Sequence, residues 1–193
     1  MRIGVLGGSF DPPQLGHTRL ALAAVKELDL DQLIIVPARV SPFKLMQTET
    51  AAVDRLEMCR LAFPDFDVSD IEVKRVGASY SVDTLEQLKQ MHEGDFWWVG
   101  GSDLLKGLPS WRRIDDMVTQ CRFAIFYRPG YDCAASFQDL PDHLRSRVDI
   151  MEHDSDFPDI SSTAVRAKLL SPEESLHPEV YRYIKQRRLY GLD

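Results

Sequence analysis

The sequence predicts an α/β fold, a doubly wound and Rossmann-like sheet that is mostly parallel and has about five or six strands. Short runs of apolar, often β-branched residues recur along the chain, and segments with helical periodicity separate them. Strands that are apolar throughout and alternate with helices are typical of a parallel sheet covered by helices on both faces. Because the 193 residues contain no repeat and no linker-like tract, we expect one domain, residues 1–193.

The individual elements follow in chain order from the hydrophobic pattern. Short apolar runs bounded by Gly, Pro or polar residues predict strands at 3–6, 33–36, 66–68, 71–73, 96–99, 122–127 and 148–151. Apolar residues at three- to four-residue spacing, or polar segments between the strands, predict helices around 15–28, 51–63, 82–91, 111–118, 161–170 and 178–187. The polar stretch 132–147 has no clear pattern and is expected to be a surface excursion.

Four segments follow predicted strand ends and should therefore lie at the ligand-binding edge of the sheet. They are 7–8, 37–44, 100–103 and 128–130. In open α/β sheets, ligands bind outside the carboxyl ends of the strands. We expect these four segments to converge on one crevice.

The composition restricts the partners. A formal net charge of −7 argues against a broad nucleic-acid or anionic-membrane surface, so we expect neither nucleic acid nor membrane as a partner. The first apolar run is too short for a signal peptide, which predicts a cytoplasmic protein. Cys59, Cys121 and Cys133 are odd in number and lack CxxC spacing, which favours reduced thiols over a disulfide frame or a zinc site.

The most informative segment is residues 3–19. A short apolar strand stops at Gly7-Gly8, Ser9 and Phe10 follow, and Gly16-His17 opens a helix. This order directs backbone N–H groups, a helix N-terminus and an imidazole toward one spot, which suits a phosphate group. Neither GxxxxGK[ST] nor GxGxxG is present, so the segment is not the phosphate loop of a P-loop kinase or ATPase.

A second segment, residues 159–166 (DISSTAVR), also has the features of an anion site. Ser161, Ser162 and Thr163 stand where a helix is predicted to begin, and Arg166 follows one turn later. Hydroxyl groups at a helix start and the planar fork of an arginine both bind phosphate oxygens. An ordinary N-cap run is the alternative when this segment is taken alone.

These two segments resemble the two signature motifs of the HxGH-type nucleotidyltransferase superfamily. The resemblance implies that His17, Lys44 and Arg166 are catalytic and stabilise charge on the ATP phosphates. It further implies an ATP-binding set made of Gly7, Gly8, Ser9, Phe10, Gln14, Gly16, His17, Gly101, Asp103, Ile160, Ser161, Ser162 and Arg166. In this superfamily, His or Thr is usual at the position of Gln14, and His is common at that of Phe43.

Three further segments resemble the bacterial nicotinate (nicotinamide) mononucleotide adenylyltransferases within that superfamily. They are residues 78–85 (ASYSVDTL), residues 101–103 (GSD) and the tryptophan that follows 108–110 (LPS). The resemblance implies that Asp103 accepts a hydrogen bond from a ribose hydroxyl, and that Trp111 stacks on the pyridine ring. The implied mononucleotide-binding set is Lys44, Tyr80, Asp83, Thr84 and Trp111. Core packing is the alternative for Tyr80 and Trp111, and a solvated loop lysine for Lys44.

The implied reaction is adenylyl transfer from ATP to nicotinate mononucleotide, giving the dinucleotide and pyrophosphate. Mg²⁺ is expected as the partner of ATP and pyrophosphate, without a metal site built by the protein. Two alternatives remain: another nucleotidyltransferase such as the phosphopantetheine type, or a low-activity nucleotide-binding paralogue, because Gln14 replaces a charged or hydroxyl group. The sequence leaves open the preference between nicotinate and nicotinamide, and whether the protein is a homo-oligomer.

Overall fold

A six-stranded sheet organises the part of the chain that the computed structural model describes, residues 1–40, 50–127, 132–151 and 160–192. The strands are β1 (Arg2–Gly8), β2 (Gln32–Pro37), β3 (Asp67–Val68), β4 (Asp95–Gly101), β5 (Arg122–Phe126) and β6 (Val148–Met151). Their order is β3-β2-β1-β4-β5-β6, and the sheet is parallel. This is the strand order of a Rossmann fold, so the predicted fold class is confirmed.

Helices occupy most of the connections. They are α1 (Leu15–Leu28), α2 (Ala52–Ala62), α3 (Ile71–Lys74), α4 (Ser81–Met91), α5 (Ile114–Gln120), α6 (Cys133–Gln138), α7 (Asp142–Arg145), α8 (Ser162–Arg166), α9 (Pro172–Ser175) and α10 (Pro178–Arg187). Two short 3₁₀ turns, Ser102–Leu104 and Leu108–Ser110, follow β4. None of the helices within the described residues is both long and apolar enough to span a membrane.

The strand order reverses between β1 and β4, and the pairing of these two strands positions their ends. Ile3 pairs with Phe96 and Leu6 pairs with Val99 in parallel register, so the carboxyl ends of both strands lie at the same edge of the sheet. That edge carries Gly7 from β1 and Gly101 from β4. In doubly wound sheets, such a reversal is where ligands bind.

By compactness the chain divides into two units. The first contains Met1–Gly7, Leu20–Ile34 and Tyr80–Phe157, and the second contains Gly8–Arg19, Ile35–Ser79 and Pro158–Asp193. The division separates the predicted site residues into two groups, which are described one unit at a time below. The expectation of a single domain stays a prediction.

Two predicted elements of the chain between α2 and α5 are wrong. Residues 71–73, predicted as a strand, begin helix α3, because the Lys74 N–H donates to the Asp70 carbonyl (2.9 Å) and the two side chains form an ion pair at 2.9 Å. The helix predicted from residue 111 begins only at Ile114, because Arg113 has a φ of 54° and so breaks any helical path from Trp111.

Three further differences lie toward the end of the chain. The stretch 132–147 contains two short helices, α6 and α7, the first capped by the Asp132 side chain, which accepts from the Ala135 N–H at 2.9 Å. Helix α8 ends at Arg166 instead of near residue 170, since Lys168 adopts a φ of 58°. Helix α9 is too short for its periodicity to be visible in the sequence.

Candidate active site

In the second unit, the first turn of α1 is closed by Gln14 and His17, which cap each other. The side-chain oxygen of Gln14 accepts from the backbone N–H groups of Gly16 and His17, the latter at 3.3 Å. In return, the backbone N–H of Gln14 donates to Nδ1 of His17 at 3.0 Å. The arrangement is that of a capping box, in which the N-cap and the third helical residue satisfy each other's backbone donors. With Nδ1 as an acceptor, the proton of the neutral imidazole lies on Nε2.

A side chain at position 16 would displace the Gln14 amide that makes this cap. A Cβ at Gly16 would lie 2.6 Å from the Oε1 atom of Gln14, far inside normal contact distance. The glycine of the first motif therefore makes space for a neighbouring side chain of the same motif. We see here a local packing reason for a residue that the resemblance assigned to ATP binding.

Three hydrogen bonds tie the first motif to the second. The Gln14 Nε2 donates to the Ile160 carbonyl (3.0 Å), the Ser162 hydroxyl to the Pro12 carbonyl (2.8 Å), and the Arg166 Nη1 to the Asp11 carbonyl (2.5 Å). Residues about 150 positions apart are thus brought together within the second unit. The roles in ATP binding that the resemblance implies for these residues stay predictions.

These bonds also show which donors of the second motif are already used. The Ser162 hydroxyl proton is directed at Pro12, whereas the Ser161 hydroxyl oxygen accepts from the Ala164 N–H at 3.1 Å and keeps its own proton for donation. Arg166 also donates through Nη2 to the Thr163 hydroxyl at 3.5 Å. A guanidinium has five N–H donors, so Arg166 can hold the Asp11 carbonyl and a phosphate oxygen together.

The ring of His17 packs against an aromatic row. His17 meets Phe10 edge to face with ring centroids 5.0 Å apart, and Phe10 meets Phe63 in the same way at 5.8 Å. Phe10 is buried and has a φ of 48°. A Cβ at Gly8 would lie 3.1 Å from the Phe10 ring, so glycine at this position lets the ring fold back over the backbone. Phe10 therefore acts as packing support under His17, and Ser9 lies half-exposed between them and the strand end.

Sequence reasoning missed Arg55, a fully buried arginine of α2. Its guanidinium donates to the carbonyls of Ser9 (2.7 Å), Ala38 (2.6 Å), Arg39 (2.8 Å) and Thr50 (3.2 Å). Burial lowers the pKa of Arg55, and the negative charge of Asp11 partly opposes this. Arg55 thus holds together the segments that follow β1 and β2. The only signal in the sequence was a helix with an irregular apolar pattern.

Asp11, which is buried, and Tyr190, which is half-buried, form a hydrogen-bonded pair in this unit. The Tyr190 hydroxyl donates to the Asp11 carboxylate at 2.6 Å, and Asp11 is only 2% exposed. Burial and the Asp11 charge raise the pKa of Tyr190 well above its usual range. The terminal Leu-Tyr, interpreted from sequence as packing, therefore also anchors the aspartate of the first motif.

In the first unit, Trp111 packs against aromatic side chains of β4 and β5. It meets Trp98 at 5.9 Å and Phe123 at 6.0 Å, both edge to face. Trp98 and Phe123 are buried, whereas Trp111 is half-buried. A Cβ at Gly7 would lie 2.8 Å from the Trp98 ring. The contacts with Trp98 and Phe123 therefore fix the orientation of Trp111, while part of its indole stays exposed. A residue that stacks on a ligand needs such an exposed ring surface.

Tyr80, Asp83 and Thr84 lie together at the start of α4. Tyr80 precedes the helix, and the guanidinium of Arg112 lies 4.4 Å from the centre of its ring. Thr84 is fully buried, and its hydroxyl donates to the Tyr80 carbonyl at 3.3 Å, so this side chain braces the turn. Asp83 lies 3.7 Å from Arg113, which also binds Glu86 at 2.6 Å.

Arg113, which sequence reasoning did not identify, links α4 to α5. Its Nε donates to Asp116 at 2.7 Å, in addition to its contacts with Asp83 and Glu86. These hydrogen bonds raise the pKa of Arg113. Because Arg113 pairs with Asp83, it connects the start of α4 to the segment after Trp111 within this unit.

The remaining predicted residues are placed as follows. Gly101 ends β4, and Asp103 is exposed in the 3₁₀ turn that follows. Lys44 and Phe43 lie outside the described residues, as do Asp159 and the segment 128–130. Among the residues that the structure does describe, no group of three His, Cys, Asp or Glu side chains could hold a metal ion.

Comparison with known families decides the classification. The sequence model of the family described as "Cytidylyltransferase-like" matches residues 5–168, which include both signature motifs. The chain belongs to the cytidylyltransferase-like family.

Curated relatives narrow the position within the cytidylyltransferase-like family. A protein named "Probable nicotinate-nucleotide adenylyltransferase" from Listeria monocytogenes is 31% identical over 98% of this chain and 97% of its own length. A protein of the same name from Shouchella clausii is 36% identical with the same coverage. The resemblance predicted from the motifs is confirmed.

Two solved structures share the fold. The Plasmodium falciparum nicotinic acid mononucleotide adenylyltransferase complexed with NaAD has a TM-score of 0.81 and 20% identity, and covers 100% of this chain and 98% of its own. A putative nicotinate-nucleotide adenylyltransferase from Vibrio parahaemolyticus has a TM-score of 0.66 at 14% identity, covering 98% and 94%. At these identities the likeness establishes the architecture.

Proposed function

We propose that this protein transfers the adenylyl group of ATP to nicotinate mononucleotide, producing nicotinate adenine dinucleotide and pyrophosphate. The observation that carries the proposal is the set of three hydrogen bonds by which Gln14, Ser162 and Arg166 join the two signature motifs. Full-length relatives named nicotinate-nucleotide adenylyltransferase support the choice of acceptor.

In this proposal, the two signature motifs bind the triphosphate. His17 donates from Nε2 to a phosphate oxygen, because its Nδ1 is occupied by the Gln14 N–H. Arg166 and the Ser161 hydroxyl add further donors, and the glycines of the first motif allow close approach of the backbone. The mononucleotide phosphate attacks the α-phosphorus in line, and pyrophosphate leaves. The protein contributes position and positive charge, without a covalent intermediate.

A further group of residues is proposed to hold the acceptor. We assign stacking of the pyridine ring to Trp111, since an electron-poor ring pairs well with an indole face. The start of α4, with Tyr80, Asp83 and Thr84, is assigned to the rest of the mononucleotide, and Asp103 is assigned to a ribose hydroxyl of ATP. Lys44 is assigned to the phosphates on the strength of the motif alone.

Mg²⁺ enters the proposal as part of the substrate, MgATP, and of the product pyrophosphate. A cytoplasmic location fits a reaction that consumes ATP.

The proposal is tested by initial rates of pyrophosphate release with ATP and Mg²⁺. The acceptors to compare are nicotinate mononucleotide, nicotinamide mononucleotide and phosphopantetheine. We expect release with nicotinate mononucleotide and none with phosphopantetheine. Release with phosphopantetheine alone would assign the chain to a different branch of the family. No release above background with any of the acceptors would contradict the enzymatic role.

A further inference from the structure

We propose that Gln14 is a positioning residue, which sets the tautomer and orientation of His17, and that it does not bind the phosphates itself. From the sequence, Gln14 was a candidate ATP ligand and a reason to expect low activity. The catalytic half of this inference rests on the proposed function, because His17 acts on ATP only if adenylyl transfer occurs.

The side-chain amide of Gln14 is committed at both ends. Its oxygen accepts from the N–H groups of Gly16 and His17, and its nitrogen donates to the Ile160 carbonyl at 3.0 Å. The residue is only 4% exposed, so a ligand meets almost none of its surface. A phosphate oxygen would have to displace the Ile160 carbonyl and leave that group unpaired in a buried place, which is costly.

The backbone of Gln14 selects the tautomer of His17. The Gln14 N–H points at Nδ1 across 3.0 Å, and this contact requires a lone pair on Nδ1. If Nδ1 carried a proton, its N–H would face the N–H of Gln14, and the two donors would repel each other. Neutral His17 therefore carries its proton on Nε2, and the edge-to-face contact with Phe10 at 5.0 Å sets the plane of the ring.

The side chain and the backbone of Gln14 act together. The amide holds residue 14 at the N-cap by bonding forward to the first turn of α1 and across to Ile160, and this places the Gln14 N–H beneath the imidazole. Only a side chain with an acceptor and a donor on one planar group can make both bonds. Glutamate keeps the acceptor and loses the donor, and methionine loses both while keeping a similar shape.

These differences define the variants. Gln14→Met removes both functions of the amide. Gln14→Glu keeps the bonds to the helix but turns an oxygen toward the Ile160 carbonyl, and serves as the second variant should Gln14→Met not fold. Gln90→Met, at an exposed position of α4, is the matched control.

The first readout does not depend on activity. The protein is labelled with ¹⁵N at its five histidines, and long-range ¹H–¹⁵N spectra report the protonated ring nitrogen of each. The His17 signals are assigned by their loss in His17→Asn. We expect only the Nε2–H form of neutral His17 in the wild-type protein, in Gln14→Glu and in Gln90→Met, and a mixture of both tautomers in Gln14→Met. An Nδ1–H form in the wild type, or an unchanged tautomer in Gln14→Met, would overturn the proposal.

The second readout separates positioning from phosphate binding. A misplaced His17 should reduce kcat of Gln14→Met by about tenfold or more, with the KM for ATP within about twofold, because orientation acts on the transition state. Loss of a phosphate ligand would instead raise the KM for ATP, and that result would contradict the proposal. If no adenylyl transfer is found in the wild-type protein, the proposed function fails, while the tautomer measurement still decides the structural half.

Discussion

Gln14 and His17 satisfy each other's backbone donors across the first turn of α1. The Gln14 N–H lies 3.0 Å from Nδ1 of His17, and the His17 N–H lies 3.3 Å from the Gln14 side-chain oxygen. The capping box usually pairs Ser or Thr with Glu or Gln, but here the reciprocal partner is an imidazole. The histidine that we propose for charge stabilisation is thus part of the cap that closes the helix end.

Replacing Gly16 with alanine should destabilise the protein, although Gly-to-Ala changes inside helices commonly stabilise by about 0.5–1 kcal/mol. The new methyl group would lie 2.6 Å from the Gln14 Oε1 and displace the cap, whose loss costs about 1 kcal/mol. Urea unfolding measures the free energy. Gly107→Ala is the control, because its Cβ would meet only the Leu104 carbonyl at 3.8 Å. Equal stabilities of the two variants would refute the role assigned to Gly16.

Replacing Arg166 with lysine should lower kcat by about 100-fold, since lysine keeps the charge but loses the planar fork. In the wild type, Nη1 is held at 2.5 Å from the Asp11 carbonyl, which orients the remaining donors. Steady-state pyrophosphate release measures the effect. The control is Arg182→Lys, an exposed arginine of α10 that pairs with Glu179. A kcat within twofold of the wild type would contradict the role of Arg166.

Replacing Arg55 with methionine should cost about 3 kcal/mol of unfolding free energy, because it leaves several buried carbonyl groups without donors. These include the carbonyls of Ser9 and Ala38, at 2.7 and 2.6 Å from Nη1. Chemical denaturation gives the value. Arg60→Met on the same helix is the control, as Arg60 is exposed and pairs only with Glu57 among the ion pairs found. We expect a change below about 1 kcal/mol there, and a similar loss in both variants would speak against the buried network.

Replacing Trp111 with phenylalanine should raise the KM for nicotinate mononucleotide about five- to tenfold and leave the KM for ATP nearly unchanged, because the smaller ring stacks less well. The KM for ATP serves as the internal control. Contacts with Trp98 and Phe123 hold the indole in place, so the variant also reports on packing. A lower Tm with both KM values unchanged would favour the alternative that Trp111 is a core aromatic only.

The parts of the fold that sequence reasoning predicted well are those with strong local signals. The apolar runs of β1, β2, β4, β5 and β6 and the periodic helices α1 and α10 were placed within about two residues. Errors occurred where a local backbone feature decided the outcome. Ile71 and Val73 are β-branched and apolar, which predicted a strand at residues 71–73. The ion pair between Asp70 and Lys74, four residues apart, instead supports a helical turn.

In the candidate site, too, the motifs could be identified from the sequence, whereas the individual hydrogen-bond partners could not. Hydrogen bonds join residues 11–14 to residues 160–166, two segments that the resemblance assigns to one ATP-binding set. The roles of Gln14, Ser162 and Arg55 could not be predicted, because each depends on which backbone carbonyl lies within reach in three dimensions. Arg55 in particular is a charged residue in a helix, and only the folded chain reveals that four carbonyl groups surround it.

The product balance of the reaction tests the central claim most directly. ATP, Mg²⁺ and nicotinate mononucleotide are incubated with the protein, and the dinucleotide and pyrophosphate are quantified together by chromatography. We predict equal amounts of both products with the wild-type protein, and at least about a 100-fold lower rate for His17→Asn. Pyrophosphate without dinucleotide, or wild-type rates in His17→Asn, would contradict adenylyl transfer at the site formed by these two motifs.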